Sequence, residues 1–257
     1  MSKTALITGS TSGIGAAYAK KFASQGYDLI ITGRRQEIIQ KLADDLTKQF
    51  NIGVKVIIAE LSDDSDIQKV VDAIKSSENF EILVNNAGYG GAPIFFTDKD
   101  SVEHENMMKV LMTVPLRLAY AALPNMSKNR RGTVINIASG AAFIPAKKQA
   151  IYAASKAFLK SFSESLYLEV KSKGIKVQVV PGAIDTDFYR DFSSVEKNIF
   201  FKKFKIMSPE SVVDSSLKDL EKNMVVSIPG AYYKNLMVLV SILPRSYWYK
   251  RIDKSIT

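Results

Sequence analysis

Three side chains in this sequence can together move a proton: Tyr152 and Lys156, four positions apart in Tyr-Ala-Ala-Ser-Lys, and Ser139, thirteen residues before the tyrosine. On a helix that spacing is about one turn, so the phenol and the ammonium share a face. A cation beside a phenol favours phenolate, so Lys156 is expected to draw Tyr152 below its usual pKa of about 10. A phenol tuned in this way serves as a general acid or base, and a neighbouring serine hydroxyl holds a carbonyl or alcohol oxygen. Taken alone, Tyr-x-x-x-Lys is more simply two surface residues of a helix. The serine and the segments upstream argue for chemistry.

The first of those segments is Thr8-Gly9-Ser10-Thr11-Ser12-Gly13-Ile14-Gly15, which follows a short apolar run and opens a helical stretch. Its glycines allow a tight turn and bring backbone N–H groups and a helix N-terminus to a pyrophosphate. The plainer reading is a glycine-rich turn, and the spacing G-x-x-x-G-x-G differs from the commoner G-x-G-x-x-G. About twenty residues on, where such a fold reads the ribose, stand Gly33-Arg34-Arg35, with no acid from Leu29 to Gln36. NAD sites place an acid there for the 2′-hydroxyl, whereas arginine holds a 2′-phosphate through charge-assisted bonds. NADP(H) is the expected cofactor; the alternative is a solvated arginine pair. Glu60-Leu61, after the third apolar run, are candidate adenine contacts, and Asn86-Ala87-Gly88, within Asn85-Asn86-Ala87-Gly88 after the fourth, bring small residues close to a ribose.

Composition narrows the chemistry further. The chain has 257 residues, no cysteine and one histidine, His104, which excludes thiol nucleophiles, disulfides, iron–sulfur clusters and multi-histidine metal centres. No metal site is expected. Catalysis must rest on hydroxyls, amines, carboxylates or a bound cofactor.

The elements that would position these groups are legible as alternation. Apolar runs at 5–8, 29–32, 54–59, 82–84, 133–138, 177–180 and 225–228 are separated by stretches such as Ile38, Ile39, Leu42, Leu46 and Phe50, spaced as on an amphipathic helix. Strands apolar throughout are those of a parallel sheet covered on both faces. The expectation is an α/β, doubly wound, seven-stranded parallel sheet with helices on both faces, in a single domain over 1–257, with a C-terminal helical extension at 231–257. Neither a signal-peptide core nor a membrane-spanning run is present, so a soluble cytoplasmic protein is expected.

Taken in order, Thr8 to Gly15, Asn85 to Gly88, Ser139, Tyr152-x-x-x-Lys156 and Pro181-Gly182-Ala183-Ile184-Asp185-Thr186 resemble the motifs of the short-chain dehydrogenase/reductase family over residues 3–230. The resemblance implies a Rossmann-type domain with strand order 3-2-1-4-5-6-7, a nicotinamide cofactor flanked by Pro181, Gly182, Ile184 and Thr186, and Lys156 on its ribose. It also implies a homodimer or homotetramer. One position departs: Leu111 stands where the family usually carries an asparagine that shapes a proton-relay water, so the relay is expected to be altered.

The implied reaction interconverts a carbonyl and a secondary alcohol. Six aromatics between Phe188 and Phe204, in a segment (187–207) that serves the family as a lid, suggest an apolar substrate, although packing explains them equally. The tail sets Leu236 to Leu243 beside Arg245, Trp248, Lys250 and Arg251, a mixture fitting either peripheral membrane contact or a helix covering the pocket. The formal charge of +9 suggests no nucleic-acid partner, since no recognition motif accompanies it. The competing function is a non-catalytic NADP-binding sensor or scaffold, for which Leu111 is the support and the intact Ser139, Tyr152 and Lys156 are the objection.

Overall fold

The computed structural model describes residues 2–181 and 207–253. Six strands, β1 (Thr4–Ile7), β2 (Asp28–Gly33), β3 (Val54–Ile58), β4 (Phe80–Asn85), β5 (Gly132–Ile137) and β6 (Ile175–Val180), form one sheet in the order β3-β2-β1-β4-β5-β6. All five pairings are parallel, with Ile7 opposite both Ile31 and Val84.

The helices are α1 (Gly13–Ser24), α2 (Gln36–Phe50), α3 (Asp64–Lys75), α4 (Ser101–Met108), α5 (Val114–Lys128), α6 (Ala150–Val170), α7 (Pro209–Glu221), α8 (Ala231–Ile242) and α9 (Arg245–Asp253). Successive strand side chains point to opposite faces, and the core divides accordingly. Leu6, Leu83, Val134 and Val177 meet α3, α5 and α6 through Ile67, Ile74, Leu118 and Leu166. Ala5, Ile7, Val84 and Ile135 meet α1, α2 and α7 through Tyr18, Phe22, Ile39 and Val212. Strands covered on both sides have no polar face to spare, which is why their sequences do not alternate.

The seventh strand is corrected. At 225–228 the chain makes a single parallel bridge, Val179 to Val226, with Val179 N–H donating to Val225 O (2.8 Å) and Ser227 N–H to Val179 O (3.0 Å). Asn223 turns the chain just before it at φ 57°, and Pro229, which has no N–H for a ladder, follows just after. An apolar run reads as a strand; its boundaries decide whether pairing can propagate.

From β1 the order runs outward one way through β2 and β3, and the other way through β4 to β6. The loops leaving β1 and β4 therefore part at their carboxyl ends and leave a crevice, where open α/β sheets bind ligands. Every described candidate residue follows a strand at that end or lies on α6 beside it. The C-terminal extension is helical over the described residues, as α8 and α9, and no described helix is long and apolar enough to cross a membrane.

Candidate active site

The turn after β1 is held open by its own backbone. Gly9 adopts φ 67°, and a Cβ there would come within 2.9 Å of Ala87 Cα. A Cβ on Gly15 would collide with Gly9 O and lie 2.5 Å from Asn86 Nδ2. Asn86 ties the turn to the end of β4: its Nδ2 donates to Thr8 O (2.8 Å) and Gly9 O (3.0 Å), while Thr8 Oγ1 accepts from the N–H groups of Asn86 (3.0 Å) and Ala87 (2.9 Å). The Asn86 side chain thus shapes the cradle. Ser10 is fully buried and donates to Ile7 O (2.8 Å), so its hydroxyl also serves the turn. Leu61 packs into the core beneath α3.

Ser12 caps α1 without a side-chain hydrogen bond, and the first turn, which includes Gly13 and Ile14, carries no acid. Uncapped first-turn N–H groups and the positive end of a helix suit an anion. Beside them Arg35 donates from Nη2 to Thr11 Oγ1 (2.7 Å) and Ser12 Oγ (3.0 Å), which brings its guanidinium to the rim of the turn. Arg34 reaches across to Glu60, Nη1 to Oε2 3.1 Å. Partial burial raises the Glu60 pKa, but hydrogen bonds from the Ser62 N–H and hydroxyl and from Arg34 outweigh it and hold the carboxyl below its ordinary value. A cradle that admits no Cβ, a helix N-terminus without a cap and two guanidinium groups fit a phosphate-bearing dinucleotide.

Ser139 leaves β5 and caps a short 3₁₀ turn (Gly140–Ala142), its Oγ accepting the Ala141 N–H at 3.2 Å. Its hydroxyl is near enough to the Tyr152 phenol to favour the ionised form. Tyr152 and Lys156 are both buried on α6, 6% and 5% exposed. Lys156 Nζ donates to Ile137 O (2.8 Å) and lies 5.7 Å from the centroid of the Tyr152 ring. The expected lowering of the tyrosine pKa is not found. Burial pushes Tyr152 up to about 12, opposed in part by Ser139. Burial also brings Lys156 down to about 8. Desolvation sets the direction of both shifts, and at neutral pH the site holds a neutral phenol beside a lysine that is still mostly cationic.

Leu111 is 1% exposed and packs with Met107 and Tyr152. It presses on Gly88, where an added Cβ would meet its Cδ2 at 2.7 Å. Its backbone is unusual: Lys109–Thr113 form a π-turn between α4 and α5, with Val114 N–H bonding Lys109 O. Pro115 accounts for the break, since it has no N–H for the carbonyl four residues back, which is that of Leu111.

A buried chain of amides escapes sequence reading. Asn85 Nδ2 donates to Asn136 Oδ1 (2.8 Å), Asn136 Nδ2 to Ser163 Oγ (2.8 Å), and Ser163 Oγ to Leu159 O (2.6 Å). It joins β4, β5 and the helix of Tyr152. Its signals were Asn85, one of two adjacent amides after the fourth apolar run that suit a role in the sheet core, and Asn136, a polar residue amid an apolar strand. Pro181 is buried at the end of β6; Gly182, Ile184, Thr186 and the lid up to residue 206 lie outside the described residues.

Residues 3–197 match the family model described as short chain dehydrogenase. A very-long-chain 3-oxoacyl-CoA reductase of Anas platyrhynchos is 32% identical over 248 residues, covering 94% of this chain and 76% of its own. The human inactive hydroxysteroid dehydrogenase-like protein 1 is 32% identical over 175 residues, covering 68% of this chain and 53% of its own. Among solved structures, a short-chain dehydrogenase from Sphingobium yanoikuyae in complex with NADPH superposes with a TM-score of 0.82 at 30% identity, over 94% of this chain and 96% of that one.

Proposed function

Because the chain belongs to the short-chain dehydrogenase/reductase family, we propose that it is an NADP(H)-dependent oxidoreductase that interconverts a carbonyl and a secondary alcohol on an apolar substrate. The observation that carries this reading is Tyr152 and Lys156 buried one turn apart on α6, the ammonium 5.7 Å from the phenol ring centroid and Ser139 beside the phenol. Gly9 to Gly15, Asn86 to Gly88 and Pro181 would line the cofactor crevice, with Arg34 and Arg35 on the 2′-phosphate. NADPH, when bound, supplies the hydride.

In the reducing direction Ser139 Oγ donates to the substrate oxygen and holds the carbonyl in place. As negative charge grows on that oxygen, Tyr152 Oη gives up its proton to it. A phenol with a pKa of about 12 is fully protonated beforehand, so the site as it stands is a loaded acid. The Lys156 ammonium, fixed by Ile137 O, then stabilises the phenolate left behind. The apolar substrate is supported by the Met107–Leu111–Tyr152 cluster, by the aromatics of residues 188–204, and by a relative named for very-long-chain 3-oxoacyl-CoA. Arg34 favours NADP(H) over NAD(H), and the NADPH-bound relative agrees.

Tyr152→Phe tests the assignment. NADPH oxidation against a panel of long-chain and cyclic ketones is expected to fall by about 10²–10⁴-fold while NADPH binding persists. Retained turnover would remove Tyr152 from its role. Tight NADPH binding by the unaltered chain with no turnover across the panel would favour the sensor reading, which Leu111 and the relative named as inactive support.

A further inference from the structure

α8 and α9 turn an apolar face to solvent. Tyr233 and Met237, one turn apart, anchor α8, while Val238, Leu239 and Ile242 are 56%, 45% and 72% exposed on the opposite side. Trp248 anchors α9 and leaves Tyr247 and Tyr249 outside. Exposed cations, Lys234, Arg245, Lys250 and Arg251, border these side chains. The sole acid of the two helices, Asp253, is spent in an ion pair with Lys147 at 2.9 Å.

We infer that this face docks on the surface of an anionic lipid bilayer, with the aliphatic and aromatic side chains in the headgroup boundary and the cations on lipid phosphates. The mixture is that of a helix lying in an interface, and neither helix is long and apolar enough to span. A second copy of the chain fits poorly. A two-fold contact through the same patch sets its cations against their own equivalents, with no free acid on the two helices to answer them.

The position gives the docking a purpose. The Lys147–Asp253 pair ties α9 to the segment between Ser139 and Tyr152, and the neighbouring Lys148 sits 4.8 Å over the ring of the exposed Phe95. A docked molecule would thus hold the approach to its reactive hydroxyls beside the bilayer, where an apolar substrate dissolves. The inference concerns where the protein works and is read without any turnover, so it stands or falls apart from the proposed reaction.

The test is co-flotation of the full chain with phosphatidylcholine vesicles, with and without phosphatidylserine. Binding is expected only with phosphatidylserine, weakening as salt rises. Leu239→Ser with Ile242→Ser is expected to lower partitioning by more than about tenfold. Lys250→Gln with Arg251→Gln, which leaves the buried anchors intact, is expected to lower it by about fivefold per charge removed, with an unchanged circular dichroism melt. A chain that stays free of phosphatidylserine vesicles at low salt overturns the proposal. So do variants of either kind that float as well as the parent, or a sedimentation result in which Leu239→Ser with Ile242→Ser splits a dimer.

Discussion

In the proposed reaction Lys156 would set the pH dependence. Burial lowers its pKa to about 8, so the ammonium is present at pH 7 and is lost as pH rises through 8. Without that charge a phenolate formed at Tyr152 in the proposed reaction would be left unsupported in a buried site. Carbonyl reduction is therefore expected to decline above about pH 8, measured as kcat/KM across pH 6 to 10; a profile flat through pH 9 would show that Lys156 acts by position alone. Leu111 poses a different question, because its side chain fills apolar space at a π-turn where Pro115 cannot offer its carbonyl the usual N–H four residues on. Leu111→Asn is expected to cost about 2 kcal/mol of stability, an amide replacing buried leucine, and to raise kcat a few-fold if the missing amide limits proton supply. The sharing of one helix by Tyr152 and Lys156 was legible from residue type and spacing, whereas the association of Ser139 with them rested on the order of the upstream motifs. The direction of the tyrosine shift was not legible: it depends on burial, which no local spacing encodes, and the sequence argument weighed a charge without its desolvation.

Strands and helices place these groups through contacts that few motifs announce. The Asn85–Asn136–Ser163 chain stitches two strands to α6 in the buried interior. Asn136→Ala leaves Asn85 Nδ2 with only its long bond to Pro115 O (3.5 Å) and Ser163 with only its bond to Leu159 O, and a loss of about 1–3 kcal/mol is expected in urea unfolding, the cost of a buried polar group stripped of its main partner. Gly15→Ala tests the turn. Its Cβ meets a backbone oxygen and the Asn86 amide that pins β4, so NADPH affinity is expected to drop at least tenfold even where folding survives, as read by quenching of Trp248 fluorescence or by calorimetry. The alternation of apolar runs and amphipathic stretches was enough to foresee six of the strands and α2. It failed at 225–228, where Asn223 and Pro229 confine an otherwise strand-like run to one bridge.

At the scale of the whole molecule, cofactor and fold should be coupled, since the crevice is built from the turns that leave β1 and β4. NADPH at about a hundredfold over its dissociation constant is expected to add about 2.7 kcal/mol to stability, visible as a rise in Tm that NADH at equal concentration matches only if Arg34 and Arg35 ignore the 2′-phosphate. The single bridge beyond β6 has one more consequence. A sheet that does not close has two rims of backbone donors and acceptors on which a foreign strand can grow. Along β3 the exposed Lys55 sets a charge in the way of such growth. Along β6 the stub at 225–227 takes up the Val179 N–H and carbonyl, so it acts as a stopper: too short to extend the sheet, and placed where it denies aggregation a template.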